Sequence, residues 1–362
     1  MASLDDLPIR DDLRGQHPYG APQLDVRYAL NTNENTHPVP RDAADDIVAS
    51  IAEVVGGLNR YPDREFTELR RSLAGYLGYG LAPEQIWAAN GSNEILQQIL
   101  QVFGGPGRTV LGFPPTYSMH SIIAAGCYTE WLSAERDPDY ALSPETAVAA
   151  VERFRPDIVF LCAPNNPTGT GVSLQAIEAA YAAHPGIVVV DEAYAEFMPA
   201  SSPSAITLLP GRERLIVTRT MSKAFAFAGA RVGYLAADAA VIDALRLVRL
   251  PYHLSALTQA AAVAALRHAD EMLATVADIA AQRDRLAAEL SALGYRVLPS
   301  QANFVLAEGF ENPQATWEAL LAQSILVRDV GLPGSLRITA GTTEETTAVI
   351  EALTEFGAGG AR

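Results

Sequence analysis

Short runs in this chain are apolar at every successive residue: Ile86-Trp87-Ala88-Ala89, Val110-Leu111, Ile158-Val159-Phe160-Leu161, Ile187-Val188-Val189-Val190 and Leu215-Ile216-Val217. A strand with one face in water alternates apolar and polar residues; a strand buried on both faces does not. Between the runs the apolar spacing is helical, as in Ile95, Leu96, Ile99, Leu100 and Phe103. The pattern predicts an α/β fold whose mainly parallel sheet is covered by helices on both faces. Ligands of such sheets bind outside the carboxyl ends of the strands. Ser92, Tyr117, Asn166, Asp191, Tyr194 and Lys223 all follow shortly after strand ends.

The chain has 362 residues, too many for one ordinary core. Residues 1–40, rich in charge, Pro and Asn, read as an arm with only a short strand, Arg27-Tyr28-Ala29-Leu30. The polar cluster Asn31-Thr32-Asn33-Glu34-Asn35 after it reads as a loop. Residues 41–245 form the expected large domain. Its first features include the turn Asn59-Arg60-Tyr61-Pro62-Asp63, a helix from Arg64 to Leu77, and a helix start at Asn90-Gly91-Ser92 with Ser92 as N-cap. Residues 246–362 form an expected smaller α+β domain. There a long helix carries Val276, Ile279, Leu286, Leu290 and Leu293 on one face, interrupted by Arg283. Short strands follow at Tyr295–Leu298, Asn303–Leu306, Ile325–Val327 and Leu336–Thr339.

Lys+Arg 26 against Asp+Glu 42 gives a formal net charge of -16. That argues against nucleic acid or an anionic membrane as a partner. An anionic ligand would need a few arginines to create a local positive site. The two cysteines, Cys127 and Cys162, read as small buried residues, and the six histidines have no zinc-like spacing, so no metal site is expected. The first residues lack a basic segment followed by an apolar one, and no apolar run reaches membrane-spanning length. A cytoplasmic protein is expected.

The chemistry concentrates after Leu215-Ile216-Val217, in Thr218-Arg219-Thr220-Met221-Ser222-Lys223 and on to Gly229-Ala230-Arg231. Ser222 and Arg231 suit a phosphate, the arginine as a bidentate fork. A lysine beside a phosphate site points to a Schiff base with pyridoxal phosphate; a surface lysine at a strand end is the alternative. Asn-Pro-Thr-Gly at 166–169, Asp-Glu-Ala-Tyr at 191–194, Ser-Lys at 222–223 and Arg231 together decide between them. This combination resembles the fold-type I aminotransferases that use pyridoxal 5'-phosphate, and within them the histidinol-phosphate aminotransferases, especially actinobacterial ones. The resemblance runs from Arg10-Asp11-Asp12-Leu13-Arg14-Gly15 to Arg337-Ile338-Thr339-Ala340-Gly341. Thr36 stands where that family usually has proline, and the connection near 77–83 is short.

The resemblance implies roles. Lys223 anchors the cofactor and then moves the proton at the substrate carbon. Asp191 pairs with the pyridine nitrogen; Tyr194 and Asn166 bond the ring oxygen; Tyr117 stacks on the ring. Helix capping by Asp191 and core packing by Tyr117 are the competing readings. Thr220, Ser222, Arg231 and the Ser92–Asn93 backbone hold the phosphate, joined by Tyr61 of the neighbouring subunit, so a homodimer with shared sites is implied. Arg337 clamps the substrate carboxylate. Arg328 and Tyr19 meet the distal phosphate of histidinol phosphate, unless Arg328 pairs with Asp329 or another surface acid. The implied reaction uses histidinol phosphate with 2-oxoglutarate and returns glutamate. An aromatic amino-acid aminotransferase, a decarboxylase of a phosphorylated substrate and a non-catalytic cofactor-binding module are the alternatives.

Overall fold

The computed structural model describes residues 6–15 and 19–359. The first five residues and one of the six histidines, His17, lie outside the described residues. In chain order the strands are β1 Tyr28–Ala29, β2 Ile86–Ala89, β3 Thr109–Gly112, β4 Glu130–Ser133, β5 Ile158–Cys162, β6 Ile187–Asp191, β7 Leu215–Thr220, β8 Gly233–Ala237, β9 Arg296–Val297, β10 Phe304–Glu308, β11 Ile325–Leu326 and β12 Ser335–Thr339. Seven of them form one sheet in the order β2-β8-β7-β6-β5-β3-β4. Pairing is parallel from β4 through β7, while β8 runs antiparallel to both its neighbours.

Strands β5, β6, β7 and β8 are buried at every residue, as unalternating apolar runs require. Two of the seven strands escape the sequence pattern. Strand β8, Gly-Tyr-Leu-Ala-Ala, starts with glycine and is rich in alanine, so its composition does not favour a strand. Strand β4 is an edge strand with its ends in water. The helix expected from Arg64 begins at Thr67 instead. Asp63 accepts the backbone N–H of Glu65 at 2.9 Å and of Thr67 at 2.7 Å, and Phe66 turns into the left-handed region with φ 39°. Cys162 is buried as expected, whereas Cys127 is only half-buried.

The second body is built on the antiparallel sheet β12-β10-β9 and the small parallel pair β1-β11. Its core includes Leu30, Leu286, Leu290, Val305, Leu336, Ile338 and Leu353, so the arm places Leu30 inside it. The long helix spans Thr275–Ala292. Arg283 does not break it: the side chain is buried, donating to Phe197 O and Ala302 O and pairing with Asp284. The helix Ala256–Arg267 packs Ala261, Ala262, Ala265 and Leu266 into the core of the large sheet. A third cluster joins the two bodies: Tyr194, Phe197 and Ala224 meet Ile279, Ala302, Phe304 and Ala340. It lies beside the carboxyl ends of the central strands. Among the described residues, no helix is long and apolar enough to cross a membrane.

One charged group inside this scaffold was not foreseen from the sequence. Arg219 of β7 is buried and pairs with Glu192 at 2.9 Å and Glu196 at 3.3 Å, with Ser204 as a further partner. Removing one member strands the others without water, which typically costs 3–5 kcal/mol. Arg219→Leu is therefore expected to lower unfolding stability by about 3–5 kcal/mol in denaturant titration; a loss under about 1 kcal/mol would contradict burial of the network.

Candidate active site

The end of β6 sets the centre of the site. Asp191 is the last residue of that strand, so its carboxylate emerges at the sheet edge while remaining buried. Thr218 Oγ1 donates to one oxygen at 3.0 Å, and His120 Nε2 lies 3.0 Å from the other. Asp191 thus partners side chains of the site and caps no helix. His120 was not singled out from the sequence. Its only signal was its position one helical turn after Tyr117, whose ring it meets edge-on at 5.4 Å. With Nδ1 unpartnered and Nε2 facing a carboxylate, the proton is assigned to Nε2.

A polar cavity surrounds Asp191. Tyr19, Ser92, Asn93, Tyr117, Asn166, Tyr194, Thr220, Ser222, Lys223, Arg231 and Arg337 all line it. Thr32, Asn33, Cys162 and Ala193 line it too and were not anticipated. Tyr117 is half-buried at the wall rather than in the core, with its hydroxyl donating to Asn93 Oδ1 at 3.3 Å. Burial pushes the Cys162 thiol up to about 12, so it stays protonated.

One end of the cavity is a cradle of donors. The helix Ser92–Phe103 starts there, and its N-cap is Gly91, not Ser92. The reason is steric. Gly91 has φ 84°, and a Cβ on it would stand 2.3 Å from Arg231 Nη2. A Cβ on Gly233 would stand 2.2 Å from Ser92 N. Only glycines let the helix start, β8 and Arg231 approach this closely. Arg231 is itself left-handed, with φ 57°, and its Nη1 lies 3.4 Å from Ser222 Oγ. Thr220 Oγ1 donates to Ser222 Oγ at 3.0 Å. Free helix N–H groups, two hydroxyls and a guanidinium around a concave space match a phosphate group.

Lys223 stands between this cradle and Arg337. Its Nζ donates to Thr32 O at 2.8 Å. Burial of the amine, with Arg337 and Arg231 nearby, lowers it from 10.5 to about 8 against the opposing pull of Glu34. At the far end, Arg337 is buried and donates to Asn166 Oδ1 at 2.7 Å and Asn31 O at 2.5 Å. Its Nε is buried without a partner, so this guanidinium beside the site keeps an unmet donor.

Two expected residues do not line the cavity. Arg328 forms a backbone bridge with Arg337 and turns its side chain to the arm, donating to Gly20 O at 3.3 Å and lying 5.8 Å from the Tyr19 ring. It makes no ion pair among the described residues; Asp329 instead accepts Gly331 N. Tyr61 is 79% exposed and stacks on Tyr252 at 4.4 Å, outside its own chain's cavity. No cluster of potential metal ligands occurs among the described residues.

The sheet, the cradle and the lysine opposite a buried carboxylate are those of a pyridoxal-phosphate enzyme of the fold-type I class. The chain belongs to the aminotransferase class I and II family, whose sequence profile matches residues 28–353. Among curated relatives, the histidinol-phosphate aminotransferase of Paenarthrobacter aurescens (strain TC1) is 60% identical over 356 residues, covering 98% of this chain and 96% of that one. That of Thermobifida fusca (strain YX) is 58% identical over 351 residues, covering 97% and 96%. The crystal structure of histidinol-phosphate aminotransferase from Sinorhizobium meliloti in complex with pyridoxal-5'-phosphate matches with a TM-score of 0.82 at 26% identity, over 92% of each chain.

The lysine yields a pH prediction. An amine whose folded pKa lies below its unfolded value leaves the native state with fewer protons between about 8 and 10.5. Stability of the cofactor-free chain therefore gains from this group as pH rises through that window, and the contribution is unfavourable below it. Amine-directed labelling of Lys223 in the cofactor-free protein should show a midpoint near 8; a midpoint near 10.5 would contradict the buried setting.

Proposed function

We propose that this chain is a pyridoxal-5'-phosphate-dependent histidinol-phosphate aminotransferase of L-histidine biosynthesis. It converts L-histidinol phosphate and 2-oxoglutarate into imidazole-acetol phosphate and L-glutamate. The observation that carries this reading is the convergence of Lys223, Asp191, a phosphate cradle that includes Arg231, and Arg337 on one cavity, in a chain 60% identical to a relative of that name.

The residues present fit the cofactor. Ser92, Asn93, Thr220, Ser222 and Arg231 would hold its phosphate. Asp191, kept in place by His120 and Thr218, would hold the ring nitrogen in its protonated form. Tyr194 and Asn166 would bond the ring oxygen, and Tyr117 would cover a ring face. When bound, the group supplies an electrophilic carbon for the amino group and an electron sink for the substrate carbon. Lys223 would anchor it, and the same amine would take and return the proton at the substrate carbon. In the cofactor-free chain burial, with Arg337 and Arg231 nearby, already holds that amine at about 8, below its ordinary 10.5. The two half-reactions alternate at one site.

Arg337 would bind the α-carboxylate that glutamate carries. Arg328 and Tyr19, stacked at the mouth between the arm and β12, would receive the distal phosphate. The local positive charge lies inside a chain of formal charge -16, so it marks the ligand site and not the general surface. The same reading includes a cytoplasmic homodimer. Leu247 at 84% exposure and Leu250 at 75% shortly precede Tyr252 in the chain, and with the Tyr61–Tyr252 stack they would suit a second copy that brings Tyr61 to the neighbouring cradle. Sedimentation as a monomer at assay concentration would remove that part.

Substrate choice is tested at Arg328. Losing a charge-assisted hydrogen bond costs about 1.5–3 kcal/mol, or about ten- to more than a hundredfold. Arg328→Ala should reduce kcat/KM for histidinol phosphate by that factor and also impair glutamate, whose side-chain carboxylate takes the same arginine. Phenylalanine, with no distal anion, should change little. Equal losses for all three donors would make Arg328 structural, and a wild-type preference for phenylalanine would assign the chain to aromatic amino acids.

A further inference from the structure

The segment Asn31-Thr32-Asn33-Glu34-Asn35 reads as a plain polar loop in the sequence. In the structure it threads between the two bodies, and Asn33 is its most enclosed contact with the site. Asn33 is 1% exposed. Its Nδ2 donates to the Tyr194 hydroxyl oxygen at 2.9 Å, and Asn166 Nδ2 approaches the same oxygen at 3.4 Å. A phenol oxygen has two lone pairs and one proton. With both lone pairs taken by amides, the proton turns to the remaining side, which is the cavity that Tyr194 lines. No described residue accepts it.

The amide of Asn33 cannot be reversed without loss. Thr339 Oγ1 accepts the backbone N–H of Asn33 at 3.2 Å and donates to Asn33 Oδ1 at 3.1 Å. Asn303 Nδ2 donates to Asn33 O at 3.1 Å. Oδ1 therefore faces β12 and Nδ2 faces Tyr194. Arg337, two residues before Thr339 on β12, holds Asn31 O with one nitrogen and Asn166 Oδ1 with another. Arg337, Asn166, Tyr194 and the 31–33 segment close a ring of hydrogen bonds. An anion that engages Arg337 competes with two links of that ring.

We propose that Asn33 is a positioning residue: it makes Tyr194 a one-way hydrogen-bond donor into the cavity and ties that orientation to the strand carrying Arg337. The inference rests on the reading that Tyr194 faces the ring oxygen of the cofactor. Asn33 also has φ 56°, a conformation asparagine tolerates well, so a purely conformational role is the competing explanation. Glycine separates the two, because it keeps the backbone and removes the amide.

The experiment titrates the visible absorption band of cofactor-loaded protein against pH for wild type, Asn33→Gly, Asn33→Asp, Tyr194→Phe and the two double variants. The other groups facing Tyr194 are Arg337, Tyr117 and Cys162, and those facing Lys223 are Arg337, Glu34 and Arg231; all stay unchanged. A ring oxygen that loses a donor becomes more basic. Asn33→Gly should therefore raise the midpoint by about half a unit or more. Asn33→Asp, whose carboxylate takes the Tyr194 proton instead, should raise it further. In the Tyr194→Phe background the effect of Asn33→Gly should vanish, and that of Asn33→Asp should shrink to its charge alone. If Tyr194→Phe shifts the midpoint but the Asn33 variants do not, or if they shift it equally in both backgrounds, the positioning role is overturned. If Tyr194→Phe shifts nothing, the reading of Tyr194 fails and takes this inference with it. Should Asn33→Gly fail to hold the cofactor, Asn33→Asp, which preserves shape and backbone preference, carries the same comparison.

Discussion

Burial of both faces of the seven-stranded sheet leaves its carboxyl edge as the place where polar side chains can stand. Asp191, Thr220 and the residues following β5 and β7 project there because the strands stop there. A carboxylate at this depth needs partners. Asp191 has Thr218 from the neighbouring strand and His120 from the helix that follows Tyr117. These bonds hold the carboxylate in one orientation, and the cradle and Lys223 are arranged around it.

The electrostatics follow from the same enclosure. An acidic chain concentrates Lys223, Arg231 and Arg337 in one cavity. Burial, with Arg337 and Arg231 beside it, lowers the lysine to about 8, and burial, with Arg328 nearby, brings down the Arg337 guanidinium. Each of these cations gains from an anion: the cradle from a phosphate, Arg337 from a carboxylate. The two bodies that carry the cradle and Arg337 meet through Tyr194, Phe304 and Ala340.

The strands were legible because a doubly buried strand needs no alternation, and the polar residues after them marked the ligand edge. Strand β8 was not legible, because glycine and alanine do not announce a strand. Gly91 displaced Ser92 as the cap for a reason that exists only in three dimensions: the guanidinium of Arg231, distant in sequence, occupies the space of a Cβ. Asn33 and His120 were missed on the same ground. Their partners, Thr339 and Asp191, lie 306 and 71 residues away, and no local pattern encodes them. Tyr61 and Arg328 stood out through resemblance, and both lie outside the cavity of a single chain. The proposed dimer would bring a partner's tyrosine to the cradle, and the proposed distal phosphate would reach Arg328 at the mouth.

The most direct measurement is borohydride reduction of the cofactor-loaded protein followed by peptide mapping. With Lys223 at the cavity floor, its amine depressed and the phosphate cradle beside it, the reduced cofactor should be recovered on Lys223 alone, and Lys223→Ala should bind pyridoxal phosphate without any covalent label. Lys223 is the single lysine of the sequence, so recovery of the label on the N-terminal amine, absence of any label despite cofactor binding, or a labelled Lys223→Ala protein would contradict the assignment of this cavity as the site of the chemistry.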